Sequence, residues 1–346
     1  MILQWWISFL ITALVAGGGG VITNPRHNIV EKNYVHLEKV GEIRADLGNN
    51  VFLFLPCSLA MDNDNCLYVY DQLQASIIKF DTDMKVIKTF GREGQGPGEL
   101  SGIGKNFPVF IKMGRDGKLY ANDVNARKII VFDHQGKYLR DFRYNTRLFW
   151  KPTVDDRGNT YFFSLKGNLL HCVNEKSKDI FKIDVRKGDF DSLFYPLSPL
   201  FEAKEERETD ISANGTVLIY LQTSSTLYTL RDKKAVRRFN IWPKEALQCY
   251  KKSLGETIRN HPNSYEVFFA PLFVDEDNAD IFYLQFGQNK TRGSNALYSF
   301  TLRGELVKIL YVDLKESRSY VRFELKKNNR FYAIAGERIA IYKEEK

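Results

Sequence analysis

Sliding the sequence along itself by 52 positions lays residues 56–91 over residues 108–143 without a gap. Pro56 falls on Pro108, Met61 on Met113, Asp64 on Asp116 and Leu67-Tyr68 on Leu119-Tyr120. Asp71 then meets Asp123, Ile77-Ile78 meets Ile129-Ile130, Phe80-Asp81 meets Phe132-Asp133 and Phe90 meets Phe142. Identities this dense in one register mark an internal repeat, which restricts the chain to architectures that stack one supersecondary unit several times.

The unit reads as short strands separated by tight turns. In the second copy, Val109 to Met113, Leu119 to Asn122, Lys128 to Phe132 and Lys137 to Arg143 are rich in β-branched and aromatic residues. Arg115-Asp116-Gly117 and His134-Gln135-Gly136 supply turn chemistry between them. A lone four-stranded antiparallel sheet cannot cover both of its faces and must pack against sister sheets, which is the condition of a propeller blade.

Weaker copies follow, so the expected fold is all-β: a six-bladed β-propeller of four-stranded antiparallel blades. The expected blades lie near residues 54–91, 106–143, 150–185, 209–241, 270–312 and 320–343. The last is one strand short, and residues 33–43 alternate apolar and polar side chains with no unit of their own. Paired as the outermost strand of blade six, they close the ring by joining the two chain ends, leaving no free edge to aggregate and favouring a monomer. Two insertions fall at blade crossings. Residues 188–210 form a long connection between blades three and four, and 243–260 read as a helix between blades four and five, with Leu247, Tyr250, Leu254 and Ile258 on one face.

The first 24 residues carry no charged side chain, and residues 5–16 form an apolar run of signal-peptide length followed by small residues. A membrane anchor through residues 2–23 is the alternative. Either way, export to the periplasm or cell envelope is expected. The net charge of +8 is spread along the chain with no nucleic-acid motif beside it, so nucleic acid is not expected as a partner. The four cysteines show neither a C-x-x-C pair nor metal-ligand spacing with the five histidines, and Cys57 and Cys66 stand too far apart across their hairpin for a disulfide.

The pattern Pro108, Asp116-Gly117, Leu119-Tyr120, Asp123-Val-Asn125-Ala-Arg127, Ile129, Phe132-Asp133 and Gly136 resembles the NHL repeat. Phe90-Gly91 with Gly94-Gln-Gly-Pro-Gly-Glu99 looks like the blade-to-blade loop of such proteins. With the long connections and the export signal, the chain is similar to six-bladed propeller proteins of the Bacteroidetes cell envelope. That resemblance implies a binding scaffold more often than an enzyme, without the lipoprotein cysteine that many of those proteins carry.

No nucleophile motif or histidine constellation is visible. The glycine-rich stretch 91–100 has the backbone of an anion nest, but strands flank it on both sides, so it reads as a blade crossing. The candidate ligand residues are Asp71 and Asp123, at one repeat position on the face of the crossings, with Arg92, Glu93 and Arg127 beside them. For the two aspartates the competing role is to bond their own turns. The expected function is a non-catalytic binding or assembly module for a protein, small glycan or peptide, with no cofactor. The alternative is a metal-dependent hydrolase or lyase of the six-bladed lactonase type, in which inward carboxylates hold Ca²⁺ or Zn²⁺ over the channel. That reading needs polar inner strands, whereas Pro56-Cys57, Pro108-Val109, Pro152-Thr153 and Pro271-Leu272 are apolar.

Overall fold

The structure, a computed structural model, describes residues 21–23, 34–48, 51–103, 108–144, 151, 153–163, 169–174, 179–184, 207–211, 215–221, 226–231, 234–240, 272–285, 295–312 and 321–345. These residues form strands and turns, with no helix among them. Two strands precede the first blade, β1 (Val21–Thr23) and β2 (Tyr34–Ile43). Blade one is β3 (Pro56–Met61), β4 (Leu67–Asp71), β5 (Ser76–Phe80) and β6 (Val86–Phe90). Blade two is β7 (Val109–Met113), β8 (Leu119–Asp123), β9 (Lys128–Phe132) and β10 (Tyr138–Arg143). Blade three is β11 (Thr153–Val154), β12 (Thr160–Phe163), β13 (Leu169–Val173) and β14 (Asp179–Asp184). Blade four is β15 (Arg207–Ile211), β16 (Val217–Leu221), β17 (Thr226–Arg231) and β18 (Lys234–Asn240). Blade five is β19 (Leu272–Val274), β20 (Ile281–Gln285), β21 (Asn295–Thr301) and β22 (Leu306–Val312). The last three strands are β23 (Arg322–Lys327), β24 (Arg330–Ala335) and β25 (Arg338–Glu344).

The sequence repeat is a repeat of register. Leu59 faces Val69 and Met61 faces Leu67 in blade one; Ile111 faces Ala121 and Met113 faces Leu119 in blade two. The backbone repeats as well. Asn65 and Gly117 take left-handed φ of 63° and 75°, Ala75 and Arg127 of 50° and 52°, and Met84 and Gly136 of 62° and 75°. Only Gly meets such angles without steric cost, so three turns per unit hold the positive-φ requirement even where the residue differs. The register slips once in the outer hairpin of blades one to five, a bulge that adds twist to the outermost strand.

A second recurrent device fixes the turn between the first two strands. The Tyr68 hydroxyl donates to Asp62 at 2.8 Å, Tyr120 to Asp116 at 2.8 Å, Tyr161 to Asp155 at 3.2 Å and Tyr283 to Asp275 at 2.9 Å. Burial first, and then the neighbouring aspartate, pushes the Tyr68, Tyr120 and Tyr283 phenols far above their ordinary range. Each buried ring therefore keeps its proton and its hydrogen bond.

The inner strands touch in the order β3, β7, β11, β15, β19, β23 and back to β3, which closes a ring of six. Apolar layers lie between blades. Leu59, Met61 and Val69 of blade one meet Tyr332, Ile334 and Ile339 of blade six, and Ala60, Tyr68 and Tyr70 of blade one meet Ile111, Leu119 and Ile130 of blade two. Ring closure follows the expectation from residues 33–43: β2 pairs antiparallel with β25 from Leu37↔Glu344 to Ile43↔Ile339. It also does more than expected. Its first residues, Tyr34 to His36, run parallel to Ile309–Tyr311 of β22, so one strand ties the outer edges of blades five and six into an eight-stranded sheet. β1 adds a parallel strand to β18 of blade four.

One boundary is corrected. Blade four, expected from residue 209, begins at Arg207 in β15, because Arg207↔Leu221 and Glu208↔Tyr220 carry the pairing two residues back into the expected 188–210 connection. The expected helix over 243–260, residues 188–206 of the connection and residues 1–20 lie outside the described residues. Among the described residues no helix is long and apolar enough to cross a membrane.

Candidate functional site

Chain direction places the blade crossings and the turns between second and third strands on one face of the ring. Asp71, at the end of β4, is buried there. One carboxylate oxygen accepts the Phe54 and Leu55 N–H groups at 2.6 and 3.1 Å; the other accepts Leu73 and Gln74 N–H at 3.0 and 3.1 Å. Asp123 repeats the arrangement in blade two, accepting Ser101 N–H at 2.8 Å and Ala126 N–H at 3.0 Å. Both aspartates thus tie the incoming crossing to the turn of the same blade, and charge-assisted bonds of this kind are the strong ones. The Tyr70 hydroxyl adds a bond to the Ser101 carbonyl.

The glycine-rich crossing also holds an anion, supplied by the chain itself. The Glu99 carboxylate accepts Gly96 N–H at 2.7 Å and Arg92 Nε–H at 2.8 Å. A Cβ at Gly94, where φ is 155°, would lie 2.1 Å from that carboxylate, so the glycine makes room for the approach. The Gly96 N–H first, and Arg92 second, hold the Glu99 carboxyl below the usual range. From below, the buried Lys128 ammonium donates to the Gln95 and Gly96 carbonyls at 3.3 and 2.9 Å. Of the other expected residues, Arg92 keeps an exposed side chain, Glu93 is exposed on the same crossing, and Arg127 is exposed at its left-handed turn position. All five expected residues therefore lie on one face of blades one and two. The two aspartates engage backbone N–H groups, and the three long charged side chains reach solvent.

Exposed apolar side chains stand on the same face. Phe52, Phe54 and Leu55 on the crossing into blade one, and Leu73 in the turn that Asp71 caps, are 40, 43, 38 and 43% exposed. The Phe52 and Phe54 rings lie 5.8 Å apart, and Gln74 Nε2 holds the Phe52 carbonyl at 2.5 Å. Ile103, on the crossing into blade two, is 54% exposed. These residues carry no repeat signature, because Phe52, Phe54 and Leu55 precede the matched unit and Leu73 falls on Asn125 within it; an apolar cluster in a turn-rich segment was the signal available for them.

The channel holds charge that sequence reasoning missed. The starts of β3, β7 and β19 carry Cys57, Val109 and Leu272, but β23 brings Arg322 and Glu324 to the channel. Lys151, just before β11, reaches a buried cluster with them. Its ammonium bonds the Glu324 carboxylate, the Glu324 carbonyl at 3.3 Å and the Leu59 carbonyl at 3.3 Å. Glu324 also accepts Leu59 N–H at 3.4 Å and lies 2.9 Å from Arg322 Nε, while the Arg322 guanidinium donates to the Cys57 carbonyl. Burial pushes the Glu324 carboxyl up, but Lys151 and Arg322 together outweigh it and hold it below the usual range. Blades three and six are opposite in a ring of six, so Lys151 spans the channel. A second pair, Arg115 of blade two with Glu276 of blade five at 2.6 Å, crosses between opposite blades at the other end of the inner strands. Among the described residues no group of three His, Cys, Asp or Glu side chains is placed to hold a metal ion.

No curated protein matches the sequence. Among solved structures, a Bacteroides fragilis protein named as a candidate for export superposes with a TM-score of 0.56 at 12% identity, covering 94% of this chain and 100% of that one. A Bacteroides vulgatus protein of a separate domain family gives 0.55 at 10% identity, over 90% and 98% of the two chains. The virginiamycin B lyase of Staphylococcus aureus gives 0.52 at 8% identity, over 88% and 98%. At these identities the likeness is one of fold. A family model described as a 6-bladed beta-propeller matches residues 50–268, more than half of the sequence. The paired repeats, the closed ring of inner strands and this match agree, and the chain belongs to that family of six-bladed β-propellers.

Proposed function

We propose that the protein is an exported, non-catalytic binding or assembly module of the periplasm or cell envelope that engages a protein, glycan or peptide through the crossing face of blades one and two. The observation that carries this reading is the set Phe52, Phe54, Leu55 and Leu73, each more than a third exposed and held on backbone that Asp71 fixes. Apolar side chains grouped on a rigid surface mark interaction sites more often than scattered ones do. Arg92, Glu93 and Arg127 supply a charged rim on the same face. The export signal read from residues 5–16 and the name of the Bacteroides fragilis neighbour support the location.

The test is recovery of partners from envelope fractions by immobilised protein, comparing the intact chain with Phe54→Ser/Leu73→Ser and with Ile87→Ser on the outer strand β6. Loss of the recovered species with the double variant alone, at unchanged melting temperature, is the expected result. Equal recovery by all three sinks the reading.

A further inference from the structure

We infer that the ring axis carries a site for one primary ammonium group and that the chain fills it with its own Lys151. The inner strand of each blade turns one edge toward the channel, where its carbonyl oxygens have no partner within the sheet. Two such oxygens, from Leu59 of blade one and Glu324 of blade six, converge with the Glu324 carboxylate on a single point. An ammonium has three donors and no acceptor, so it matches three oxygens one for one. Lys151 comes from blade three, whose neighbours in the ring are blades two and four, yet its bonds go to blades one and six. The Lys151 side chain is 17% exposed and that of Glu324 5% exposed, so the cage is shielded from water.

The geometry selects the cation. One carboxylate and two carbonyls fall short of the six to eight oxygens that Ca²⁺ gathers. Arg322 already approaches the same carboxylate, which lowers the demand for a second full charge. A monoalkylammonium supplies one charge and three directed protons, while a quaternary ammonium has the charge without the donors. The inference does not rest on the binding role assigned to the crossing face.

Lys151→Ala removes the atoms that n-propylammonium would replace. The variant should melt roughly 5–15 °C lower, since it leaves the buried Glu324 carboxylate with Arg322 as its cationic partner and takes the donor away from the Leu59 and Glu324 carbonyls. n-Propylammonium chloride should return a large part of that loss, whereas tetramethylammonium chloride at the same ionic strength and n-propanol should not. An equal response to the two ammonium salts, or no recovery with either, overturns the assignment. A second measurement needs no variant: acetylation of the intact protein, followed by mass spectrometry, should modify Lys151 at least about tenfold more slowly than the exposed Lys137. Equal rates at the two lysines would show that the ammonium is not caged.

Discussion

Asp71 and Asp123 occupy one position of the repeat, and their surroundings show what that position does. Each carboxylate gathers N–H groups from its own turn and from the crossing that enters the blade. A repeated residue can be retained for the fold or for a ligand, and the two roles predict different losses. Asp71→Asn keeps the size of the side chain but turns an NH₂ toward backbone donors, so it should destabilise the protein by about 2–4 kcal/mol in urea unfolding. A change below about 0.5 kcal/mol would return Asp71 to the list of residues free to meet a ligand. Asp123→Asn should follow in the same direction, since its carboxylate likewise joins the Ser101 N–H of the crossing to the Ala126 N–H of the turn.

Strands show why some of the molecule was legible in its sequence and some was not. Blades one and two could be read directly, because a 52-residue offset preserves side chains, register and the positive-φ positions together. Blade three keeps a weaker copy of the pattern, and blades four to six were placed by turn spacing, which fixes a hairpin to within a few residues; hence the shifted start of β15. Lys151 was invisible for a physical reason. It is a single lysine beside Pro152, and only the closure of the ring brings it to Glu324. The double duty of β2 was hidden too, since its alternation announces a strand but not the number of neighbours it serves. Leu37, fully buried where β2 leaves β22 for β25, packs into the layer of Phe323, Phe331 and Tyr342. Leu37→Ala should cost about 2–4 kcal/mol. Amide exchange should quicken in β22 and β25 alike; faster exchange in β25 alone would show that the two blades are not tied by β2.

Across the whole ring, stability rests partly on carboxylates that are ionised in the native state. Burial raises Asp277, but the Asn329 and Asn328 N–H groups and Lys326 bring it below its ordinary range, and Glu324 is lowered in the same way by Lys151 and Arg322. A carboxyl depressed by folding stabilises the protein above its unfolded value, and that contribution drains away as pH falls through the folded value. The melting temperature should therefore be flat near neutrality and drop below about pH 4.5. Glu324→Gln should start lower and fall less steeply on the acid side. An acid limb parallel to that of the parent protein would remove Glu324 from the set of linked groups.

The pairing of β2 with β25 sets Leu37 opposite Glu344, almost a full chain length apart. Contacts that distant in sequence carry the greatest loop-closure cost and slow the folding reaction. A chain delivered from its N-terminus has residues 34–43 in hand long before their partner strand exists. In that interval blades one to five can form, with β2 already seated along β22, while the ring stays unclosed. Closure then becomes a late event that waits on β25: until that strand lies between β2 and β24, both keep open edges able to pair with another molecule.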